Sequence, residues 1–309
     1  MVKVQVGCTS YMIMTMCMYA LANCLHTNDL NIGRLRPLLC RIYLFKGLFH
    51  PFRCFREMAE IPSTSSSTFM EPSKDEVVAR LRQMDATEML AGLPPLPTSL
   101  PKAAVLIPLF YRNRQLHVLL TVRSTNLKSH RGEVAFPGGK SDEGDADLKT
   151  TALRETEEEI GLARERVQVV AQLGPTFALK GTLVIPVVGF IPDDFTPVPN
   201  PDEVSDVFTV PFSTFLRTED HMQREWKDDS GYEYTLNFFN HLEGGKQFIT
   251  FGLTASICIT AATICFARSP DFKSVVQYDP SNPRKILELS KNSYMRRLRK
   301  LKKVGQGKL

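Results

Sequence analysis

Leu119-Leu120-Thr121-Val122-Arg123-Ser124, Gly132-Glu133-Val134-Ala135-Phe136-Pro137-Gly138-Gly139-Lys140 and Arg154-Glu155-Thr156-Glu157-Glu158-Glu159-Ile160-Gly161-Leu162 are the pieces of the segment on which the fold of this chain depends. Read in order, a strand is broken by two glycines, an acidic turn follows, and a helix begins. On that helix Glu155, Glu158 and Glu159 stand at i, i+3 and i+4, so their carboxylates share one face. Ala152, Leu153, Thr156 and Ile160 form the neighbouring stripe that would pack on a sheet. Gly161 is the expected stop. Two carboxylates about 5–6 Å apart repel by roughly 3 kcal/mol at an effective dielectric near 20. Three on one patch call for cations among them, and oxygen-only donors suit Mg²⁺ or Mn²⁺.

A solvated acidic face is the plain alternative for any Glu-rich helical turn. The upstream glycine pair and the order Arg-Glu-x-x-Glu-Glu-x-Gly favour a site. These residues resemble the Nudix box, Gly-x5-Glu-x7-Arg-Glu-U-x-Glu-Glu-x-Gly-U with U apolar. Gly139 takes its first position and Arg154 to Leu162 its last nine. Asp145 stands in place of the first Glu, the spacer to Arg154 is one residue longer, and Thr156 replaces an apolar residue. The preceding Leu119-Leu120-Thr121-x-Arg123-Ser124, Lys128, Gly132 and Phe136-Pro137-Gly138-Gly139 are similar to the motif of the coenzyme A diphosphatase branch, peroxisomal members included. Thr151-Ala152-Leu153 and Asn200-Pro201-x-Glu203-Val204 add to the likeness, which runs from Lys74 to Phe266. Lys128 replaces the branch's usual Arg, keeping the charge and losing the bidentate fork.

The resemblance implies a Nudix-type α/β/α sandwich on a mixed β-sheet and an Mg²⁺- or Mn²⁺-dependent diphosphatase. Its metals would be held by Glu155, Glu158 and Glu159, with Arg154 orienting the carboxylates. Glu155 and Glu203 are the two candidates for the general base. Arg123, Lys128, Arg131 and Lys140, with Gly138 and Gly139, are the candidate substrate-binding residues. Coenzyme A carries a diphosphate that suits the metals and a separate 3′-phosphate that needs such donors. The implied products are 3′,5′-ADP and 4′-phosphopantetheine or its acyl form. Two alternatives stand beside this reading. One is a Nudix hydrolase of another nucleoside diphosphate derivative, such as a dinucleotide or RNA cap. The other is a non-catalytic module that binds nucleotide or RNA.

The chain has 309 residues and a net charge of +5, but this total misleads. Ten Lys/Arg and one Glu fall in the last 26 residues, so the remainder is net acidic and no general nucleic-acid coat is indicated. The seven cysteines form no Cys-x-x-Cys pair, and the odd count fits reduced thiols.

Four regions are expected. Residues 1–57 are an atypical extension, apolar from Tyr11 to Leu25 and then basic. They read as a targeting stretch or as no part of the working protein, with Met58 or Met70 as the true start. Any membrane contact would run through this stretch. Residues 58–100 hold a linker, Pro62 to Pro72, and a short helix opened by the capping box Ser73-x-x-Glu76. Residues 101–270 are the working domain. Residues 271–309 are a basic tail with a surface helix from Arg284 to Lys303. The tail closes on Gly307-Lys308-Leu309, which resembles the Ser-Lys-Leu address read by the peroxisomal import receptor. A peroxisomal location is expected on that ground, with mitochondrial and cytoplasmic locations as alternatives.

Within the domain, Ala103–Phe110 and Leu116–Arg123 read as a hairpin about Asn113. Val167–Phe177 pairs with Thr182–Ile191 around Lys180-Gly181. Val204–Val210 follows the Asn200–Glu203 turn, and Pro211–Leu216 is a short helix. Tyr232–Phe239 and Lys246–Phe251 are strands. Leu253–Ala267 is a helix too short to span a bilayer and is therefore buried. Cys258 and Cys265 lie on it as packing residues.

Overall fold

The computed structural model describes residues 70–178, 181–227 and 233–306. The chain divides into two compact units, Met1–Ser66 with Trp226–Tyr234 and Ser67–Glu225 with Thr235–Leu309. The first lies almost wholly outside the described residues, as do the 1–57 extension, most of the Pro62–Pro72 linker, Lys180 and Gly307-Lys308-Leu309. The second carries the fold.

Its centre is β1 (Lys102–Arg112), which turns through Asn113 and Arg114 into β2 (Gln115–Arg123). Both turn residues have positive φ, 51° and 64°, as a two-residue hairpin connection requires. β1 also runs parallel to β7 (Leu183–Phe190), and β7 is antiparallel to β5 (Gln168–Gln172) and β6 (Thr176–Phe177). β8 (Val204–Pro211) covers the other side of β2. One parallel pair among antiparallel ones makes the sheet mixed, as expected.

The alternation of β1 assigns the two faces. Ala104, Leu106 and Phe110 meet Ala152, Ile160 and Leu162 of the box-helix layer. Ile107 and Leu109 meet Val77 and Leu81 of α1 (Lys74–Gln83) and a second, mostly apolar helix. A period of two on a strand between two helical layers gives the sandwich. α1 begins at the expected capping box, with the Ser73 hydroxyl accepting from the Glu76 N–H. The linker before it is tied down at its end, where the Leu116 N–H donates to Glu71 Oε2 at 3.1 Å. Helix α2 is the single turn Thr87–Ala91, and the box helix α3 spans Leu148–Ile160. The apolar helix α4 spans Gly252–Phe266 and is buried along most of its length, Cys258 and Cys265 included. Among the described residues no helix is long and apolar enough to cross a membrane.

Several expectations need correction. The Gly138-Gly139 pair does not break a strand. It is strand β4 (Gly138–Lys140), antiparallel to Ala103–Val105 of β1, and it follows the two-residue β3 (Val134–Ala135) paired with β2. β1 and β2 pair only from Leu109 to Arg112 and Gln115 to Val118, and β3–β4 pair with their far ends. A strand of two glycines has no β propensity, so pattern alone could not show it. Strand β9 (His221–Lys227) is absent from the expected elements because its polar residues carry no apolar alternation. With β10 (Glu233–Glu243) and β11 (Lys246–Phe251) it forms a second, three-stranded sheet. Pro211–Leu216 proves to be a 3-10 turn at Phe212–Leu216. The basic C-terminal helix α5 (Lys285–Gln306) is not wholly a surface element. Its Ile286 and Leu287 join the main core, and Tyr294 packs on Leu183 and Ile185.

The second sheet holds a buried His241, whose Nε2 lies 3.0 Å from Thr250 Oγ1 between the rings of Phe208 and Phe215. Burial pushes its pKa down from 6.5 to about 4. The unfolded chain therefore binds a proton that the folded chain refuses, so this group's contribution is whole above pH 6.5 and fades as pH falls toward 4. At about 1.4 kcal/mol per pKa unit the loss reaches roughly 3 kcal/mol. Urea unfolding of the wild type and His241→Gln between those pH values should show a shallower pH slope in the variant; equal slopes would refute the assignment.

Candidate functional site

Helix α3 starts where the Asp147 side chain accepts the Thr150 N–H at 2.8 Å, and ends at Gly161, whose φ is +71°. Ala152, Thr156 and Ile160 are buried as expected; Thr151 and Glu159 join them, and Leu153 is only partly covered. The buried side thus includes one of the three carboxylates.

Arg154 holds this region together. Its Nε and Nη2 donate to the two oxygens of Asp145 at 2.9 and 3.0 Å. Nη1 donates to Glu155 Oε1 and to Glu158 Oε2, both at 3.1 Å. Nη2 also reaches the Lys140 carbonyl at 3.2 Å. Five N–H groups thus meet five acceptors, which is the full capacity of a guanidinium. Asp145, 3% exposed, takes two further bonds, from the Asp142 N–H and the Thr151 hydroxyl. The Arg154 guanidinium holds Asp145 well below the usual carboxylate range, and Asp145 in turn raises Arg154. In the sequence Asp145 stands out only as a departure from the box. Its spacing from Arg154 exceeds any helical contact, so the pair is visible only in three dimensions.

Glu155 lies against Gly139. A Cβ on Gly139 would fall 2.2–2.6 Å from the Glu155 carboxylate. Burial raises Glu155 despite Arg154, and the like charges of Glu158 and Glu203 add to this. Glu159 points inward, with its side chain 5% exposed. It accepts the Gly138 N–H at 3.0 Å and faces Arg123 at 3.8 Å. Burial pushes it up to about 8, so one distant guanidinium does not compensate its charge. Gly138 has φ +147°, and a Cβ there would strike the Ala104 carbonyl and Val105 Cα at 2.4 and 2.6 Å. Each glycine is therefore required for a different reason: Gly138 for β1 backbone, Gly139 for the Glu155 carboxylate.

Glu203 arrives from the turn before β8. The Asn200 N–H caps the Glu159 carbonyl and the Val198 N–H the Ile160 carbonyl, both at 2.9 Å. The Glu203 carbonyl accepts the Ser124 N–H at 2.8 Å, and Ser124 Oγ donates to the Pro201 carbonyl at 3.0 Å. In the sequence Ser124 is no more than a motif letter, yet once buried it ties the end of β2 to the turn that carries Glu203.

The structure therefore gathers Arg123, Gly138, Gly139, Arg154, Glu155, Glu158, Glu159 and Glu203. Lys140 joins through its carbonyl while its side chain is exposed. Lys128 and Arg131 do not converge on the carboxylates. Both are exposed on the β2–β3 loop, where Arg131 Nε donates to the Leu127 carbonyl. Among the described residues no three carboxylates converge closely enough to grip an ion as they stand. Arg154 draws Glu155 and Glu158 toward itself, and Glu159 turns to Gly138. The donor set nevertheless fits a hard divalent cation, being all oxygen, rich in negative charge and short of positive partners at Glu159.

Comparison with known proteins places this geometry. A family model described as the NUDIX domain matches residues 100–230. Mouse peroxisomal coenzyme A diphosphatase NUDT7 is 39% identical over 201 residues, covering 64% of this chain and 83% of the mouse protein. The Arabidopsis thaliana mitochondrial Nudix hydrolase 15 is 44% identical over 176 residues, 55% of this chain, and the match spans only 61% of that protein. The uncharacterized Nudix hydrolase NudL of Photorhabdus laumondii is 39% identical over 171 residues, covering 53% of this chain and 87% of NudL. With the box carboxylates set around Arg154 on a mixed-sheet sandwich, the chain belongs to the Nudix hydrolase family.

Proposed function

We propose that the chain hydrolyses the diphosphate of coenzyme A and acyl-coenzyme A, giving 3′,5′-ADP and 4′-phosphopantetheine or its acyl form. The observation that carries this reading is the 39% identity across 83% of mouse peroxisomal coenzyme A diphosphatase. It is joined here to a site whose charge suits a metal-bound diphosphate. The plant and bacterial relatives are matched at similar identity, so another nucleoside diphosphate is the second reading.

In this proposal Glu155, Glu158 and Glu159 would hold Mg²⁺ or Mn²⁺, which when bound would supply charge to neutralise the diphosphate and favour attack by water. Arg154 touches no substrate. Anchored on Asp145, it fixes where Glu155 and Glu158 stand. A water oxygen bonds to phosphorus, its proton passes to Glu155 or Glu203, and the bridging P–O bond breaks. Glu203 lies close enough for its charge to raise both Glu155 and Glu159. Arg123, on β2, is the cation best placed to meet a phosphate beside Glu159. We place the working domain at 101–270, with α1 and α5 packed on it. We place the protein in the peroxisome, on the likeness to the mouse peroxisomal relative.

Turnover of coenzyme A in ¹⁸O water, followed by mass spectrometry, should put the label in one product and identify the attacked phosphorus. Equal rates on coenzyme A, NADH and ADP-ribose would reject the substrate assignment. Glu158→Gln with Glu159→Gln should abolish turnover while circular dichroism stays native; unchanged turnover would mean the metals lie elsewhere. The two glycines should separate. Gly139→Ala displaces only the end of a side chain, so its thermal midpoint should hold while kcat falls about a hundredfold, the usual cost of a misplaced catalytic group. Gly138→Ala forces backbone apart and should cost about 1–3 kcal/mol of stability. Equal behaviour of the pair would contradict the geometry.

A further inference from the structure

The ten residues between Arg123 and Val134 close in a specific way. The Gly132 N–H donates to the Arg123 carbonyl at 2.9 Å, and the Arg123 N–H donates to the Glu133 carbonyl at 3.0 Å. Two residues thus oppose one, and the first is a glycine at φ +65°, which defines a glycine β-bulge. Gly132 is needed for that conformation, and the bulge fixes the register beyond it. Thr121 pairs with Ala135 and Val122 with Val134, so Glu133 pairs with Arg123.

Residues paired across an antiparallel ladder project from the same face, with Cβ atoms about 4.5–5.5 Å apart. Arg123 projects toward Glu159, which places Glu133 on the carboxylate side of the sheet. His130 begins the turn that ends at Glu133. The Glu133 N–H donates to the His130 carbonyl at 3.3 Å, and His130 Nδ1 lies 2.8 Å from Glu133 Oε2. His130 itself holds φ +56°, a conformation uncommon for a residue other than glycine. Its side chain is 51% exposed, while Glu133 beneath it is 21% exposed. The ring is therefore oriented at Nδ1 by a carboxylate, with half of its side-chain surface exposed. An ordinary exposed ion pair contributes little to stability.

We propose that His130, oriented by Glu133, is a substrate-binding residue whose Nε2 donates to a phosphoryl oxygen of the diphosphate. This rests on the diphosphatase reading above and adds a residue to it. An imidazolium between a carboxylate and a phosphoryl oxygen donates to both. The basic residues on the same loop are placed differently, with Arg131 turned to the Leu127 carbonyl. The geometry therefore assigns the phosphate contact at the neck of the loop to the histidine.

The test compares wild type, His130→Ala, His130→Arg and Glu133→Gln by steady-state kinetics on coenzyme A with Mg²⁺. The same proteins are titrated calorimetrically with magnesium diphosphate, a probe that needs no knowledge of the organic groups. His130→Ala should raise KM and the diphosphate Kd about tenfold or more, with kcat held within about threefold, as expected for a lost charge-assisted bond. His130→Arg should restore most of both, and Glu133→Gln should fall between. Unchanged Kd in His130→Ala, or a Kd for His130→Arg no better than for Ala, overturns the assignment. Absence of coenzyme A turnover in wild type would overturn the substrate reading instead, and the calorimetric arm would still decide His130.

Discussion

Helix α3 gathers more negative charge than water alone would let it keep in one place, and the Arg154 guanidinium sets how that charge is arranged. All five of its N–H groups are used. Two go to Asp145, two to the helix carboxylates and one to the Lys140 carbonyl. A lysine has three donors and no plane, so it could not join a loop, a strand and two turns of helix at once. The arginine is itself only 16% exposed, which makes the contacts stronger and makes an unpaired member costly. Asp145 is the fixed end of this arrangement and Glu158, half exposed, is the loose end.

That arrangement needs a surface to stand on. The sheet supplies it by parting β1 from β2 and admitting β3 and β4 at their far ends. The insertion brings two glycines under α3, where any side chain on the first would strike backbone and any on the second would strike Glu155. The N–H of the first then faces Glu159. One short segment thus completes the sheet, spaces the helix from it and provides a donor to the most buried carboxylate.

Much of this is legible in the chain. The hairpin, the capping box at Ser73, the two-sided apolar alternation of β1 and the stop at Gly161 follow from local rules, and each appears where those rules put it. The carboxylate face of α3 follows from helical spacing. What escapes such rules is non-local. β4 has no strand propensity of its own and exists only because β1 offers it partners. Strand β9 is held by its neighbour rather than by an apolar pattern. Asp145 and Ser124 act through partners nine and seventy-seven residues away. The burial of Tyr294 on α5 depends on Leu183 and Ile185 of β7, which lie far from it in the chain.

The framework and the periphery of the site are built from different bonds. Glu159, Asn200, Glu203 and Ser124 are joined through backbone N–H and carbonyl groups, which any residue but proline could supply. Side chains around this frame can therefore change without moving it, Ser124 excepted, because its hydroxyl holds the Pro201 carbonyl. The β2–β3 loop is the opposite case. It is pinned at its neck by the bulge at Gly132, while Lys128 and Arg131 stand exposed on its course. On the proposed reading, substitution along that course would change which phosphates and organic groups are met and would leave the carboxylates where they are, so the chemistry would hold constant while the substrate shifted.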